Sequence, residues 1–134
     1  MATRLITTHE CDAADEFKQA LIDTRGPEDL VIIDSPVKMP GRAVKNQFLI
    51  DISAGKRHPL GCIYRCLETC NKPEDCANPP PYCIPRALIS AVKGDLKNGF
   101  VFSGYNGFRC KEKISVSELM DKLKDEYNRD ICCS

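Results

Sequence analysis

Strand-forming segments are short and far apart in this sequence, and this constrains the fold more than any other feature. Three segments have the β-branched and aromatic residues typical of strands: Arg4–Thr8, Leu30–Ile33 and Phe100–Phe102. Helical patterns separate them. Isolated strand pairs are only marginally stable in water, so these segments are not expected to build a sheet of their own. The sequence therefore predicts a mostly helical part of a larger α/β protein.

Four segments show helical periodicity. Two are expected from Asp12 to about Thr24 and from Arg42 to about Ser53, and a third has Pro85 in its first turn and ends before Gly94. The fourth is the best defined, because Ser115–Glu118 has the S-x-x-E pattern of a capping box. Its expected apolar stripe consists of Val116, Leu119, Met120, Leu123 and Tyr127.

One strand-forming segment and one helical segment each carry a further expectation. Leu30–Ile33 is apolar at every position, which is typical of a strand buried on both faces. The helix predicted from Arg42 follows Gly41, and the free N–H groups of a helix N-terminus can hold an anion. A tight turn with an exposed arginine is the alternative interpretation of this pair.

The composition excludes several classes of protein. The 19 basic and 19 acidic residues cancel, so no basic stripe is expected to bind nucleic-acid phosphates. The apolar content of 43% is sufficient for a core. No run approaches the roughly 18 apolar residues that a membrane span requires. The opening residues 1–10 lack the apolar region of a signal peptide, so a cytoplasmic protein is predicted.

Cysteine is unusually frequent, with nine in the chain and five of them from Cys62 to Cys83. Without an export signal, reduced thiols or a metal are favoured over disulfides. Four thiolates suit zinc or an iron–sulfur cluster. A continuous helix would hold Cys62 and Cys70 about 12 Å apart, so a shared metal requires a bend. A metal site, unligated thiols and disulfides all remain open. The candidate metal ligands are Cys62, Cys66, Cys70 and Cys83.

No catalytic residue is assigned from the motifs. His9 and His58 are the only histidines, and neither lies in a nucleophile or metal motif. The chain contains no G-x-S-x-G, P-loop or G-x-G-x-x-G sequence. Both histidines are therefore expected in surface loops.

A series of short motifs is more specific in its order and spacing than any one member. The motifs are Met1–Leu5, Thr8–Ala13, Met39–Asn46, Tyr82–Ile84, Ala87–Ile89, Lys93–Leu96, Gly99–Gly104 and Ile114–Leu119. Together they resemble the C-terminal part of the nitronate monooxygenase family, formerly called 2-nitropropane dioxygenases. The resemblance extends over nearly the whole chain, to about Tyr127.

The resemblance implies an FMN-dependent TIM-barrel enzyme that oxidises alkyl nitronates with dioxygen. Relatives include a flavin-dependent enoyl-acyl carrier protein reductase. Residues 1–6 would correspond to the last barrel strand, where the family has a Gly-Thr pair that holds the FMN phosphate. Thr3 matches the threonine, and Ala2 replaces the glycine. Ser103 and Gly104 match a family loop that approaches the flavin.

The resemblance also implies an organisation. It divides the chain into a last barrel strand (1–8), a helix-strand-helix segment (9–57), a Cys/Pro-rich insert (58–84) and a C-terminal helical segment (85–134). The family's catalytic histidine would lie upstream of this sequence, so the chain is expected to be inactive alone. Its expected small-molecule partner is an alkyl nitronate, and its expected protein partner is a barrel chain or a second copy of itself. Neither nucleic acid nor a membrane is expected as a partner. A cysteine-rich metal-binding module and a partner subunit of a separate barrel chain are the alternatives.

Overall fold

The computed structural model describes residues 2–58 and 80–132, with side chains described through Arg129. Within these ranges, no helix is both long and apolar enough to cross a membrane. The elements are α1 (Ala2–Ile6), α2 (Asp15–Ile22), β1 (Leu30–Asp34), β2 (Pro40–Val44), α3 (Gln47–Ser53), α4 (Ile84–Val92) and α5 (Val116–Cys132). Short 3-10 turns lie at Pro27–Asp29 and Gly107–Arg109.

The sheet consists of β1 and β2, which pair antiparallel from Leu30 opposite Val44 to Asp34 opposite Pro40. On its other side, β2 contacts residues 101–103. The Val44 N–H donates to the Val101 carbonyl at 2.9 Å, and the Ser103 N–H donates to the Arg42 carbonyl at 3.0 Å. The predicted strand Phe100–Phe102 is therefore reduced to an isolated bridge on β2.

The expectation that Leu30–Ile33 is buried on both faces is wrong. The strand lies at the edge of the hairpin, and Ile32 is 57% exposed. Val31 and Ile33 pack against the core on the opposite face. The apolar run thus belongs to an edge strand that leaves the Ile32 side chain open, although Leu30 on the same face packs against the core.

Two other expectations are corrected. Residues 2–6 form α1 where a barrel strand was expected, because the segment closes its own i to i+4 hydrogen bonds, such as Thr7 N–H to Thr3 C=O at 3.3 Å. The helix expected from Arg42 begins at Gln47 instead. Asn46 caps it, since the Asn46 side chain accepts from the Leu49 N–H at 3.0 Å. Gly41 and Arg42 belong to β2, so the helix N-terminus expected to hold an anion is absent there, as is the alternative tight turn.

The core has two clusters that meet across β2 and the segment beside it. Alternation along these extended residues sends Ala43 and Phe100 to one cluster and Val44 and Val101 to the other. The first cluster is aromatic, since the Phe100 ring lies edge-on to Tyr82 with centroids 5.9 Å apart. Burial raises the pKa of Tyr82 to about 12. The second cluster contains Phe17, Leu21 and Ala91 from α2 and α4.

Helix α4 packs directly against the backbone at Gly99, and this contact leaves no room for a side chain there. A Cβ on this glycine would overlap the Ala87 carbonyl and would lie 2.8 Å from the Ala91 nitrogen. The helix ends as the sequence predicts, because Gly94 adopts a φ of 92° directly after it. Helix α4 is therefore positioned by two glycines, one at its end and one beneath it.

The capping box of α5 is confirmed. The Ser115 hydroxyl accepts from the Glu118 N–H at 3.2 Å, and the Glu118 carboxylate accepts from the Ser115 N–H at 2.8 Å. The Ser115 N–H and hydroxyl, in that order, lower the pKa of Glu118. Because the pKa of Glu118 is lower in the folded protein than in the unfolded chain, the capping hydrogen bonds stabilise the fold fully at pH values above the ordinary glutamate pKa. This stabilisation is lost as the pH falls through the lowered pKa of the folded protein.

Replacing Ser115 with alanine should lower the free energy of unfolding by about 1 kcal/mol, because an N-cap side chain typically contributes that much. Urea denaturation followed by circular dichroism measures the change. Ser117→Ala is the matched control, since Ser117 is exposed in the first turn of α5 and should change stability little. An equal effect of both substitutions would show that the cap does not stabilise the helix.

Candidate functional site

Two of the predicted cofactor residues are joined by a hydrogen bond. The Gly104 N–H donates to the Thr3 hydroxyl at 3.1 Å, across 101 positions of sequence. Thr3 is held by α1 and is only 8% exposed. The structure therefore brings the first segment of the chain against the loop that follows Phe102.

The loop is held in a tight conformation around Ser103. The Ser103 N–H binds the Arg42 carbonyl on β2, and its hydroxyl donates to the Gly104 carbonyl at 3.1 Å. The Gly107 N–H donates to the same Gly104 carbonyl at 2.9 Å. A Cβ on Gly107 would overlap the Ser103 hydroxyl, so a side chain there would displace the loop.

The outer side of Gly104 is open. A Cβ placed on it would meet only the Thr3 hydroxyl, at 3.4 Å, which is an ordinary contact distance. Thr3 accepts from Gly104 and keeps its own hydroxyl proton as a donor. Ala2, at the start of α1, is exposed. A hydroxyl donor beside accessible glycine backbone suits an oxygen-rich ligand such as a phosphate, the group that the resemblance implies at these residues.

A positive charge lies beside this loop in a way that the sequence did not indicate. The Arg42 guanidinium carbon lies 5.3 Å from the centroid of the Tyr105 ring, within the range of a cation–π contact. The sequence predicts Arg42 either at a helix N-terminus or in a tight turn with an exposed side chain. The contact of Tyr105 with Arg42 leaves no pattern in the sequence, because the two residues are 63 positions apart.

A cavity of about 580 Å³ lies between α1, α5 and the loop after the site. Its lining includes Arg4, Thr7 and Asn106 but none of the four predicted cofactor residues. Arg4 makes a bidentate ion pair with Glu126 of α5, at 2.7 and 2.9 Å. This cavity is therefore separate from the Thr3–Gly104 contact, where Gly104 is exposed and Thr3 is buried behind it.

Only one of the four candidate metal ligands can be located. Cys83 is a free, half-buried thiol directly before α4. Cys62, Cys66 and Cys70 lie outside the described residues, and the four-cysteine site stays a prediction. In the described ranges, no group of three or more histidine, cysteine or acidic side chains is placed to hold a metal ion.

The two histidines differ in their surroundings. His9 is exposed. His58 is half-buried, and its ring lies tilted on Phe48 with centroids 4.6 Å apart. His58 therefore lies in an irregular segment as predicted, but its ring packs at the aromatic cluster rather than at the open surface.

Comparison with known proteins defines the class of the chain. Solved structures of FabK from Thermotoga maritima share its fold, one with a TM-score of 0.68 at 18% identity and a point mutant with 0.66 at 17%. Each match covers 96% of this chain, and the chain spans only about a third of the FabK length, 36% and 33%. The likeness indicates the TIM-barrel α/β class, of which the described residues form a helical portion with a two-stranded sheet.

The family follows from the sequence match. The nitronate monooxygenase family model matches residues 1–126, so the chain belongs to this family of FMN-dependent oxidoreductases. This confirms the resemblance found in the motifs. A sequence search of the curated proteins gives no match.

Proposed function

We propose that this chain supplies the phosphate-binding corner of a flavin site in an enzyme that oxidises alkyl nitronates with dioxygen. One observation carries the proposal, which is the hydrogen bond between the Gly104 N–H and the Thr3 hydroxyl. It joins the two family motifs expected to contact FMN, although they lie at opposite ends of the chain.

Each residue has a distinct role in this proposal. Thr3 donates its hydroxyl proton to a phosphate oxygen while Gly104 fixes the orientation of that hydroxyl. Gly104 also lets the ligand approach the backbone closely, because no side chain intervenes. Ser103 holds the loop on β2. Ala2 adds a methyl group where the family has glycine, so its contact would be less close.

FMN, when bound, supplies the electron-transfer chemistry. The chain's own residues bind and orient it. A TIM barrel closes around eight parallel strands, whereas the described residues contain a single antiparallel pair. No described histidine is placed at the Thr3–Gly104 contact. We therefore propose that flavin binding and turnover require barrel strands beyond those that the structure describes.

A flavin titration tests this function. FMN is added to the purified 134-residue chain, alone and after mixing with the barrel segment of a family member, while flavin fluorescence is followed. Oxygen uptake with an alkyl nitronate is then measured for both samples. We expect tight binding and turnover only in the mixture. Tight binding and turnover by the chain alone would contradict the need for a barrel, and failure of the mixture would contradict the flavin site.

Thr3→Val should weaken FMN binding to the mixture by about 10-fold to 100-fold, because hydrogen bonds to charged groups contribute about 1.5–3 kcal/mol. Riboflavin lacks the phosphate, so its affinity should not change. Thr7→Val is the control, since Thr7 is equally buried and its hydroxyl donates to the Arg4 carbonyl at 3.1 Å. Equal losses for FMN and riboflavin would rule out a phosphate contact at Thr3.

A further inference from the structure

The Arg42 side chain has no acidic partner in the described part of the chain. Its guanidinium carbon lies 5.3 Å from the centroid of the Tyr105 ring, and among the described residues none of its five N–H donors is hydrogen-bonded. The residues directly opposite Arg42 on its two neighbouring segments are Ile32 and Ser103, which carry no charge. Asp34 lies diagonally across on β1 and forms no ion pair with Arg42 within the described ranges. The charge of Arg42 is therefore available to another group.

The register of β2 places this side chain at the candidate site. The Val44 N–H and the Arg42 carbonyl bind Val101 and Ser103, so Arg42 lies directly opposite Ser103. Residues directly opposite each other point to the same face of a sheet, with Cβ atoms about 4.5–5.5 Å apart. Ala43 points to the aromatic cluster on the other face. Arg42 and Ser103 therefore leave the sheet side by side.

Both ends of the Arg42 side chain lie next to the candidate site. The side chain starts beside Ser103, which in turn lies beside Thr3. A Cβ on Gly107 would overlap the Ser103 hydroxyl and would lie 3.3 Å from the Thr3 methyl group, so these two side chains flank one position. The guanidinium ends over Tyr105, the residue directly after the glycine that binds Thr3.

We infer, on the basis of the proposed flavin site, that Arg42 supplies the positive charge that neutralises a flavin phosphate bound at Thr3 and Gly104. A phosphate monoester carries about 1.5 to 2 negative charges at pH 7, and a neutral hydroxyl donor does not balance them. A guanidinium matches this group, because its parallel N–H donors bind two phosphate oxygens at once.

The Tyr105 ring orients the guanidinium without occupying its hydrogen-bond donors. The contact is made through the π face of the ring, so the N–H groups stay available for ligand oxygens. Thr3 is buried, whereas Tyr105 is 58% exposed, so Arg42 and Tyr105 form the solvent side of the site. A bound phosphate would then have a neutral donor on its inner side and a charged donor on its outer side.

Inorganic phosphate titrated into the full 134-residue chain tests this charge apart from the flavin, with the NMR shift of the Gly104 amide as the signal. Arg42→Gln removes the charge and should weaken phosphate binding by about 10-fold or more. Arg109→Gln is the matched control, because Arg109 lies in the same loop with its guanidinium carbon 6.0 Å from the centroid of the Phe108 ring. The control loses the same charge and should stay within about 2-fold of the wild type.

Two further variants separate charge from geometry. Arg42→Lys keeps the positive charge and loses the paired donors, so its affinity should lie between those of the wild type and Arg42→Gln. Tyr105→Leu should weaken binding by about 2-fold to 5-fold, the effect of losing an exposed cation–π contact. Because the Tyr105 ring is exposed, this variant is expected to fold, and circular dichroism establishes that every variant is folded.

The same substitutions in the FMN titration of the chain mixed with the barrel segment distinguish Arg42 from the site as a whole. Arg42→Gln should weaken FMN binding by about 10-fold to 100-fold and leave riboflavin binding unchanged. If Thr3→Val weakens FMN binding and Arg42→Gln does not, the flavin site stands and the role of Arg42 is overturned.

If the mixture binds no FMN, the proposed function fails and the phosphate titration decides the role of Arg42. A Gly104 shift that depends on Arg42 and not on Arg109 then supports it. Equal affinities of the Arg42→Gln and Arg109→Gln variants, or no response of Gly104 to phosphate, would then overturn it.

Discussion

Phe100→Ala should lower the free energy of unfolding by about 3–5 kcal/mol, the range for removing a buried phenylalanine from a core. Phe100 is completely buried, and its ring contacts those of Phe48, Tyr82 and Phe102 at centroid distances of 5.1–6.0 Å. These rings come from three separate parts of the chain, so the cavity cannot close by moving one loop. Urea denaturation followed by tyrosine fluorescence measures the loss.

Tyr127→Ala is the control for this substitution. It removes an aromatic ring that is 66% exposed on α5, so it should change stability by no more than about 0.5 kcal/mol. A loss below about 1 kcal/mol for Phe100→Ala would contradict the central position of the ring, since cavity formation in a packed core costs more than that.

Gly99→Ala should be nearly as damaging, at about 3 kcal/mol, the upper part of the range for overpacking. The new methyl group would overlap the Ala87 carbonyl, which is backbone within α4 and cannot rotate away. Helix α4 must then shift, and Ala87 and Ala91 would lose contact with both core clusters. The melting temperature and the urea midpoint should both fall.

Gly104→Ala tests whether this effect is specific to close packing. It is the same chemical change, but the nearest atom to the added carbon is the Thr3 hydroxyl at 3.4 Å. Stability should therefore change much less than for Gly99→Ala. If the two variants unfold at the same urea concentration, α4 does not lie against Gly99.

The sequence predicts the elements whose signals are local. The α5 capping box at Ser115 and Glu118, and Gly94 after α4, act within a single turn of helix, and both are confirmed. Helix α2 also forms, although it starts at Asp15 rather than Asp12. These signals are local, so no knowledge of the rest of the fold is needed to interpret them.

The wrong helix prediction from Arg42 depends in part on a distant partner. The apolar spacing after Arg42 fits a helix, but β1 on one side and residues 101–103 on the other pair with this segment and hold it extended. Gly41 fits there because the Phe102 ring covers it, at 2.5 Å from where a Cβ would lie. Residues 101–103 lie more than 50 positions from β2, so this pairing leaves no periodic pattern in the sequence of β2 itself.

The candidate site was predictable only through the family resemblance. Thr3 and Gly104 are 101 positions apart, and no composition or periodicity links them. The same holds for Arg42 over Tyr105, which became visible only in the fold. The metal prediction rests on Cys62, Cys66 and Cys70, outside the described residues, and elemental analysis for zinc and iron addresses it directly.

The first and last segments of the described chain close on each other. Arg4 binds Glu126, and the His9 N–H donates to the Ile114 carbonyl at 3.1 Å. Residues between them are tied to the same closure, since the Lys111 ammonium donates to the Thr24 carbonyl at 2.6 Å and the Lys113 ammonium binds Asp15 at 2.7 Å. The Thr3–Gly104 hydrogen bond belongs to this closure as well. A ligand bound to both residues would therefore hold together two parts of the chain that lie 101 positions apart, and so would stabilise the closed arrangement.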